Sequence, residues 1–158
     1  MINDTDRTHL ARAVELAEQA LISGDEPFGS VLVSEHGQVM FEDHNHIASS
    51  GDNTQHPEFS IARWAAANMT PDERARAVVY TSGEHCPMCA AAHAWVGLGR
   101  VVYASSSEQL SAWLGELGVP LPPVKTLPIN AVAPAVPVEG PDQELAEKVR
   151  ALHVRLHG

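Results

Sequence analysis

Both cysteines of the chain lie in Gly83-Glu84-His85-Cys86-Pro87-Met88-Cys89, two residues apart and led by a histidine. Thiolates are nucleophiles, redox centres and soft metal ligands. This spacing therefore admits a disulfide, a redox pair at the start of a helix, a structural zinc knuckle or part of a catalytic metal site. A Cys86–Cys89 disulfide would close a loop too small to constrain the unfolded chain much. A structural zinc site would want two further ligands, and only histidines could supply them.

His56-Pro57-Glu58, 30 residues upstream of Cys86, narrows the choice. Proline suits the first position of a helix, so His56 becomes its cap residue and Glu58 falls in its first turn. Cys86-Pro87-Met88-Cys89 repeats the arrangement, with Cys86 at the cap and Cys89 in the first turn. Two helix N-termini then converge, and their positive ends favour thiolate and carboxylate charge. One histidine and two cysteines make three protein ligands and leave one tetrahedral position open, the feature that separates catalytic from structural zinc. Taken alone, Glu58 reads as a first-turn glutamate that stabilises a helix dipole.

The elements that must hold these residues follow from periodicity. Leu10, Ala13, Val14, Ala17 and Leu21 recur at helical spacing over residues 5–22, and Gly24 supplies a stop. Residues 29–34 and 38–41 read as two strands joined by a turn at Glu35-His36-Gly37, and residues 45–55 as a polar loop. A second helix covers 61–67 below its head at His56, and Thr70-Pro71-Asp72-Glu73 fits a capping box. Residues 77–81 are a buried strand feeding the cysteine loop, 90–96 are helical, and 101–104 are another buried strand. That succession is a βαβ unit, so the order implies a mixed sheet covered by helices. Residues 109–117 form a further helix. Residues 119–141 hold seven of the eleven prolines and read as an extended segment wrapping the domain, before a closing helix over 142–156.

Composition suits a single domain over residues 1–158. Twenty acidic against ten basic side chains give a net charge of -10, which opposes nucleic-acid binding and leaves small neutral molecules as the expected partners. No run reaches the roughly 18 apolar residues of a spanning helix. The start, MINDTDRTH, has no basic flank followed by an apolar run, so a cytoplasmic location is expected.

With these residues in place the chain resembles the zinc-dependent cytidine/deoxycytidylate deaminase superfamily, whose signature is H-x-E followed by P-C-x-x-C. Glu26-Pro-Phe-Gly-Ser-Val-Leu-Val33 is similar to the first strand of its guanine deaminase and tRNA adenosine deaminase branch, and His44-Asn45-His46 to a segment that contacts substrate. The likeness covers about residues 8–105. It implies a three-layer α/β/α domain with a five-stranded mixed sheet. It also implies a Zn2+ held by His56, Cys86 and Cys89, and Glu58 as the proton carrier. By the same resemblance Asn45 bonds the ring edge of a substrate and Phe28 stacks on the base. Trp95 is a weaker candidate for a substrate wall, since it also fits the buried face of its helix.

Two positions depart from the family pattern. His85 stands where proline is usual, and is expected to be a surface histidine or one that supports a ligand. Pro57 stands where a small residue is common; the family's backbone amide there can bond substrate, and proline has no such donor. His44, His46 and His93 are expected to be satisfied or solvent-facing. The resemblance implies deamination of a free base or small heterocycle, guanine-like purines first and cytosine or a nucleoside second. A zinc protein that had lost activity would be expected to lack Glu58. Members of the guanine deaminase branch form dimers, which makes residues 119–158 a candidate for an exchanged segment or a lid.

Overall fold

The computed structural model describes residues 1–158. In chain order the elements are α1 (Asp4–Ile22), β1 (Gly29–Val33), β2 (Val39–His44), α2 (Ile47–Ser50), α3 (Pro57–Asn68), α4 (Pro71–Arg76) and β3 (Val78–Gly83). There follow α5 (Pro87–Trp95), β4 (Arg100–Ser105), α6 (Ser107–Glu116), α7 (Ile129–Val132), β5 (Val138–Glu139) and α8 (Gln143–His157). The strands form one mixed sheet in the order β2-β1-β3-β4-β5. β1 is antiparallel to both β2 and β3, whereas β3, β4 and β5 run parallel.

Side-chain alternation along the strands decides the layers. Val31, Val33, Tyr80, Val102 and Ala104 face α1, α6 and α8, where they meet Leu10, Val14, Trp113, Leu145 and Val149. Their neighbours Leu32 and Val79 turn to the opposite face, against Ile61, Ala62 and Ala65 of α3. The expected three-layer α/β/α arrangement is therefore the one observed. Gly29 permits the close approach of α1 to β1, because a β-carbon there would lie 2.3 Å from the Ala13 carbonyl oxygen. No helix is long and apolar enough to cross a membrane.

The capping boxes set three helix starts: Asn3 with Asp6, Thr70 with Glu73, and Ser106 with Gln109. The structure corrects the sequence reading in two places. The polar stretch 45–55 contains a short helical turn, α2, closed by Gly51 in the left-handed conformation. The proline-rich segment is not simply extended: Ile129 and Ala133 pack on Ala90 and Val101 through α7, and Val138–Glu139 add the fifth strand. Two residues at a sheet edge need few ladder bonds, which is how so proline-rich a segment supplies a strand.

Candidate metal and active site

Two helix starts are brought together at one end of the sheet. His56 is the N-cap of α3 and Cys86 the N-cap of α5, each in extended backbone and each followed by proline at the first helical position. The His56 Nδ1 lies 3.5 Å from Cys86 Sγ and 3.6 Å from Cys89 Sγ, and the two sulfurs are 3.6 Å apart. A tetrahedral ion with zinc–sulfur bonds of about 2.3 Å and a zinc–nitrogen bond of about 2.0–2.1 Å spaces such donors roughly 3.5–3.8 Å apart. The triangle therefore already has the dimensions of a zinc site, and its fourth corner is not filled by a side chain.

In the metal-free chain the cysteines share charge unequally. Cys86 is pushed down to about 4, chiefly by its hydrogen bond with Cys89 and, against the cost of burial, by His56. Cys89 is pushed strongly up by the bond to Cys86, by burial and by the neighbouring Glu58 carboxyl. His56 is raised by its contact with Cys86. A divalent cation would relieve this crowding, because it stabilises both thiolates together.

Glu58 occupies the second position of α3 and is buried, with only 5% of its surface exposed. Its Oε1 lies 3.0 Å from Thr81 Oγ1 and 3.3 Å from Ser30 Oγ. Thr81 Oγ1 also sits 2.8 Å from Ser30 Oγ and 2.9 Å from the Gly83 carbonyl, yet it has a single proton to give. No cation pairs with Glu58 through a salt bridge. Burial consequently raises its pKa above the ordinary glutamate value, with Cys86 adding to the effect and His56 opposing it. Such a carboxyl is suited to taking up and releasing a proton.

Asn45 and Phe28 arrive at the same end of the sheet. The Asn45 backbone N–H donates to the Phe28 carbonyl at 3.0 Å, just beyond the Gly29–His44 pair of β1 and β2. Asn45 is buried, and its Oδ1 accepts the Ile47 N–H at 2.9 Å, which leaves the amide nitrogen as its available donor. Phe28 lies over Gly83, where a β-carbon would meet its ring at 3.4 Å, and its other neighbour is His153 of α8. Pro57 is buried at the head of α3.

Trp95 is not brought to this cluster. It is the last residue of α5, about 13 Å of helix from Cys86, and is 89% exposed. Neither of its expected placements, substrate wall or buried helix face, holds within the chain. Instead it lines an open apolar groove with Ala91, Ala94, Val132 and Val136. His85 is also placed differently from a surface histidine: it is 1% exposed and packs edge-on against His93, ring centres 5.3 Å apart. Burial and the His93 ring hold its pKa well below the ordinary value, so it carries no charge. The Nδ1 atoms of both rings lack partners, while His93 Nε2 donates to the Gly99 carbonyl at 2.7 Å.

Sequence reasoning missed Thr81, Ser30 and Glu84. The first two were visible only as hydroxyl residues inside apolar strand runs. Glu84 fastens the cysteine loop, its Oε1 accepting from Ser107 N at 2.9 Å and its Oε2 from Ile129 N at 2.7 Å.

Residues 3–105 match the family described as cytidine and deoxycytidylate deaminase zinc-binding region. The chain belongs to this family. The family's zinc-binding description agrees with the donor triangle of His56, Cys86 and Cys89. Over 99 residues the chain is 36% identical to a guanine deaminase of Bacillus subtilis, covering 62% of this chain and 63% of that one. Over 109 residues it is 31% identical to a probable cytosine deaminase of Schizosaccharomyces pombe, covering 69% and 65%. The chain thus spans less than two thirds of the length of both relatives. A solved structure from a study of A-to-I editing by tRNA:A34 deaminases superposes with a TM-score of 0.55 at 32% identity, over 64% of this chain and 78% of that one.

Proposed function

We propose that the chain is a zinc-dependent hydrolase that deaminates a free nucleobase or related small aminated heterocycle, with guanine-like purines favoured. The observation that carries this reading is a buried Glu58, without a salt-bridge partner, in the first turn of the helix whose cap residue belongs to the His56, Cys86, Cys89 triangle. A structural zinc site has no use for a buried carboxyl beside an open coordination position.

Zinc bound by the three ligands supplies Lewis acidity that brings the pKa of a coordinated water near 7. Glu58 Oε1 carries both hydroxyl contacts, which assigns proton transfer to Oε2. Oε2 takes the proton of the attacking water and passes it to the ring nitrogen beside the amino-bearing carbon. Oxygen adds to that carbon; Glu58 then takes the remaining proton of the added hydroxyl and gives it to the amino group, and the C–N bond breaks as the carbonyl forms, releasing ammonia. Asn45 orients the ring through its amide nitrogen, and Phe28 supports the ring face. Pro57 denies the substrate a backbone donor at the head of α3, so recognition falls more heavily on Asn45.

The guanine deaminase relative, with the higher identity of the two, supports the purine reading; cytosine or a nucleoside is the second reading, supported by the cytosine deaminase relative. The net charge of -10 opposes a tRNA substrate. The reading is tested by zinc content and ammonia release over guanine, cytosine, adenine, their nucleosides and aminotriazines. Zinc-dependent turnover of guanine is the expected result. Zinc binding without ammonia from any of them would instead favour a binding protein.

A further inference from the structure

A second convergent donor set lies on the loops beside Asn45. Asp25, His44 and His46 each offer a carboxylate oxygen or ring nitrogen, and the three atoms lie within 4.8 Å of one another. Asp25, between α1 and β1, is 1% exposed, and no arginine or lysine pairs with it. Its Oδ1 accepts the Ser49 N–H at 2.8 Å and its Oδ2 the Ser49 hydroxyl at 2.9 Å, leaving a lone pair on each oxygen.

The two imidazoles are each fixed by one nitrogen. His44 Nδ1 lies 2.9 Å from the Asn45 carbonyl, which makes Nδ1 the protonated nitrogen and leaves the Nε2 lone pair free. His46 Nε2 lies 3.0 Å from Asp43 Oδ1, which likewise leaves Nδ1 free. The rings stand 4.4 Å apart. A histidine that holds a metal characteristically donates its other N–H to a backbone carbonyl or a carboxylate, which fixes its tautomer and raises its basicity. One ring here has each kind of partner.

We propose that Asp25, His44 and His46 form a second divalent-metal site, of the zinc or nickel class, that ties the segment carrying Asn45 to the loop before β1. Two imidazoles with one carboxylate favour borderline transition ions over magnesium or calcium, which prefer oxygen donors throughout. An ion about 2.1 Å from each donor needs them roughly 3.0–3.5 Å apart, so any pair near the 4.8 Å limit must close on binding. His46, with 39% of its side chain exposed, has room to move. This ion is therefore held less tightly than one at the cysteine site. Asn45 lies between the two histidines in the chain, so occupancy steadies its backbone without any ligand touching substrate.

Equilibrium dialysis of the intact chain against micromolar Zn2+, read as zinc per chain by mass spectrometry, tests the site. The wild type is expected to hold two ions, one of them removed by a weak chelator. His44→Ala and His46→Ala are each expected to hold one. His36→Ala, which alters an unrelated exposed histidine, is expected to keep two. His46→Ala changes a partly exposed side chain, so it keeps the test intact should His44→Ala fold poorly. A wild type saturating at one ion, or His46→Ala binding as many as the wild type, overturns the proposal. The cysteine site is scored separately, by the ion that resists the weak chelator.

Discussion

Asp6 and Glu58 are both carboxyls with almost no exposed surface, and the sheet treats them in opposite ways. Asp6, in the first turn of α1, receives Arg100 Nη1 at 3.0 Å and Nη2 at 2.9 Å, with the Tyr80 hydroxyl at 2.8 Å and the Asn3 N–H at 3.0 Å. The Arg100 bonds outweigh desolvation and hold its pKa down at about 2. Glu58 has only the Thr81 and Ser30 hydroxyls, and desolvation wins. Adjacent residues of β3 serve the two sites: Tyr80 points to Asp6 on one face, Thr81 to Glu58 on the other. Burial alone thus does not fix a carboxyl's role. A matched guanidinium makes it a fixed structural charge, and hydroxyls alone leave it able to take up a proton more readily than an ordinary carboxylate.

That contrast breaks most sharply with Glu58→Gln. The neutral isostere is expected to lower kcat by about 10²–10⁴ while zinc content is kept and the melting temperature does not fall. A large loss of melting temperature with activity retained would invert the comparison. Asp6→Asn is expected to do the reverse, lowering stability by about 2 kcal/mol at pH 7 with turnover unchanged, as urea unfolding would show. Its pH dependence has a definite sign. A carboxyl held below its unfolded value stabilises the fold above pH about 4, and that contribution fades as pH falls toward 2. Asp6→Asn should therefore flatten the acid limb of the stability curve.

Smaller effects sharpen the same difference. Thr81→Val keeps the shape of the β3 side chain but removes the nearer hydroxyl from Glu58. It is expected to lower kcat about tenfold with little change in KM for the preferred base. Tyr80→Phe, one residue away, is expected to cost about 1 kcal/mol of stability and leave kcat alone. If both variants moved the same observable, the two faces of β3 would not be separate in function.

The chain's own pattern determined the longer helices, four of the five strands and the candidate donor set His56, Cys86 and Cys89, but not the short helices α2 and α7. Helical and alternating periodicities are local, and proline after His56 and after Cys86 marks two helix starts directly. The fifth strand, residues 138–139, lay hidden among prolines because an edge strand that short carries no periodicity. Glu58 was legible as a candidate through its motif, but its Thr81 and Ser30 contacts were not, since they join residues 23 and 28 positions away. Trp95 and His85 show the same limit. A helical pattern does not say where the helix outruns its covering layer, so a tryptophan read as wall or core ends in solvent; of the two readings of His85, surface or ligand-supporting, burial removes the first. Residue types and spacing determined which atoms can bind metal or carry a proton. Only the tertiary structure decided which carboxyl met a guanidinium and which met hydroxyls alone, because a buried group's charge depends on neighbours brought from distant parts of the chain.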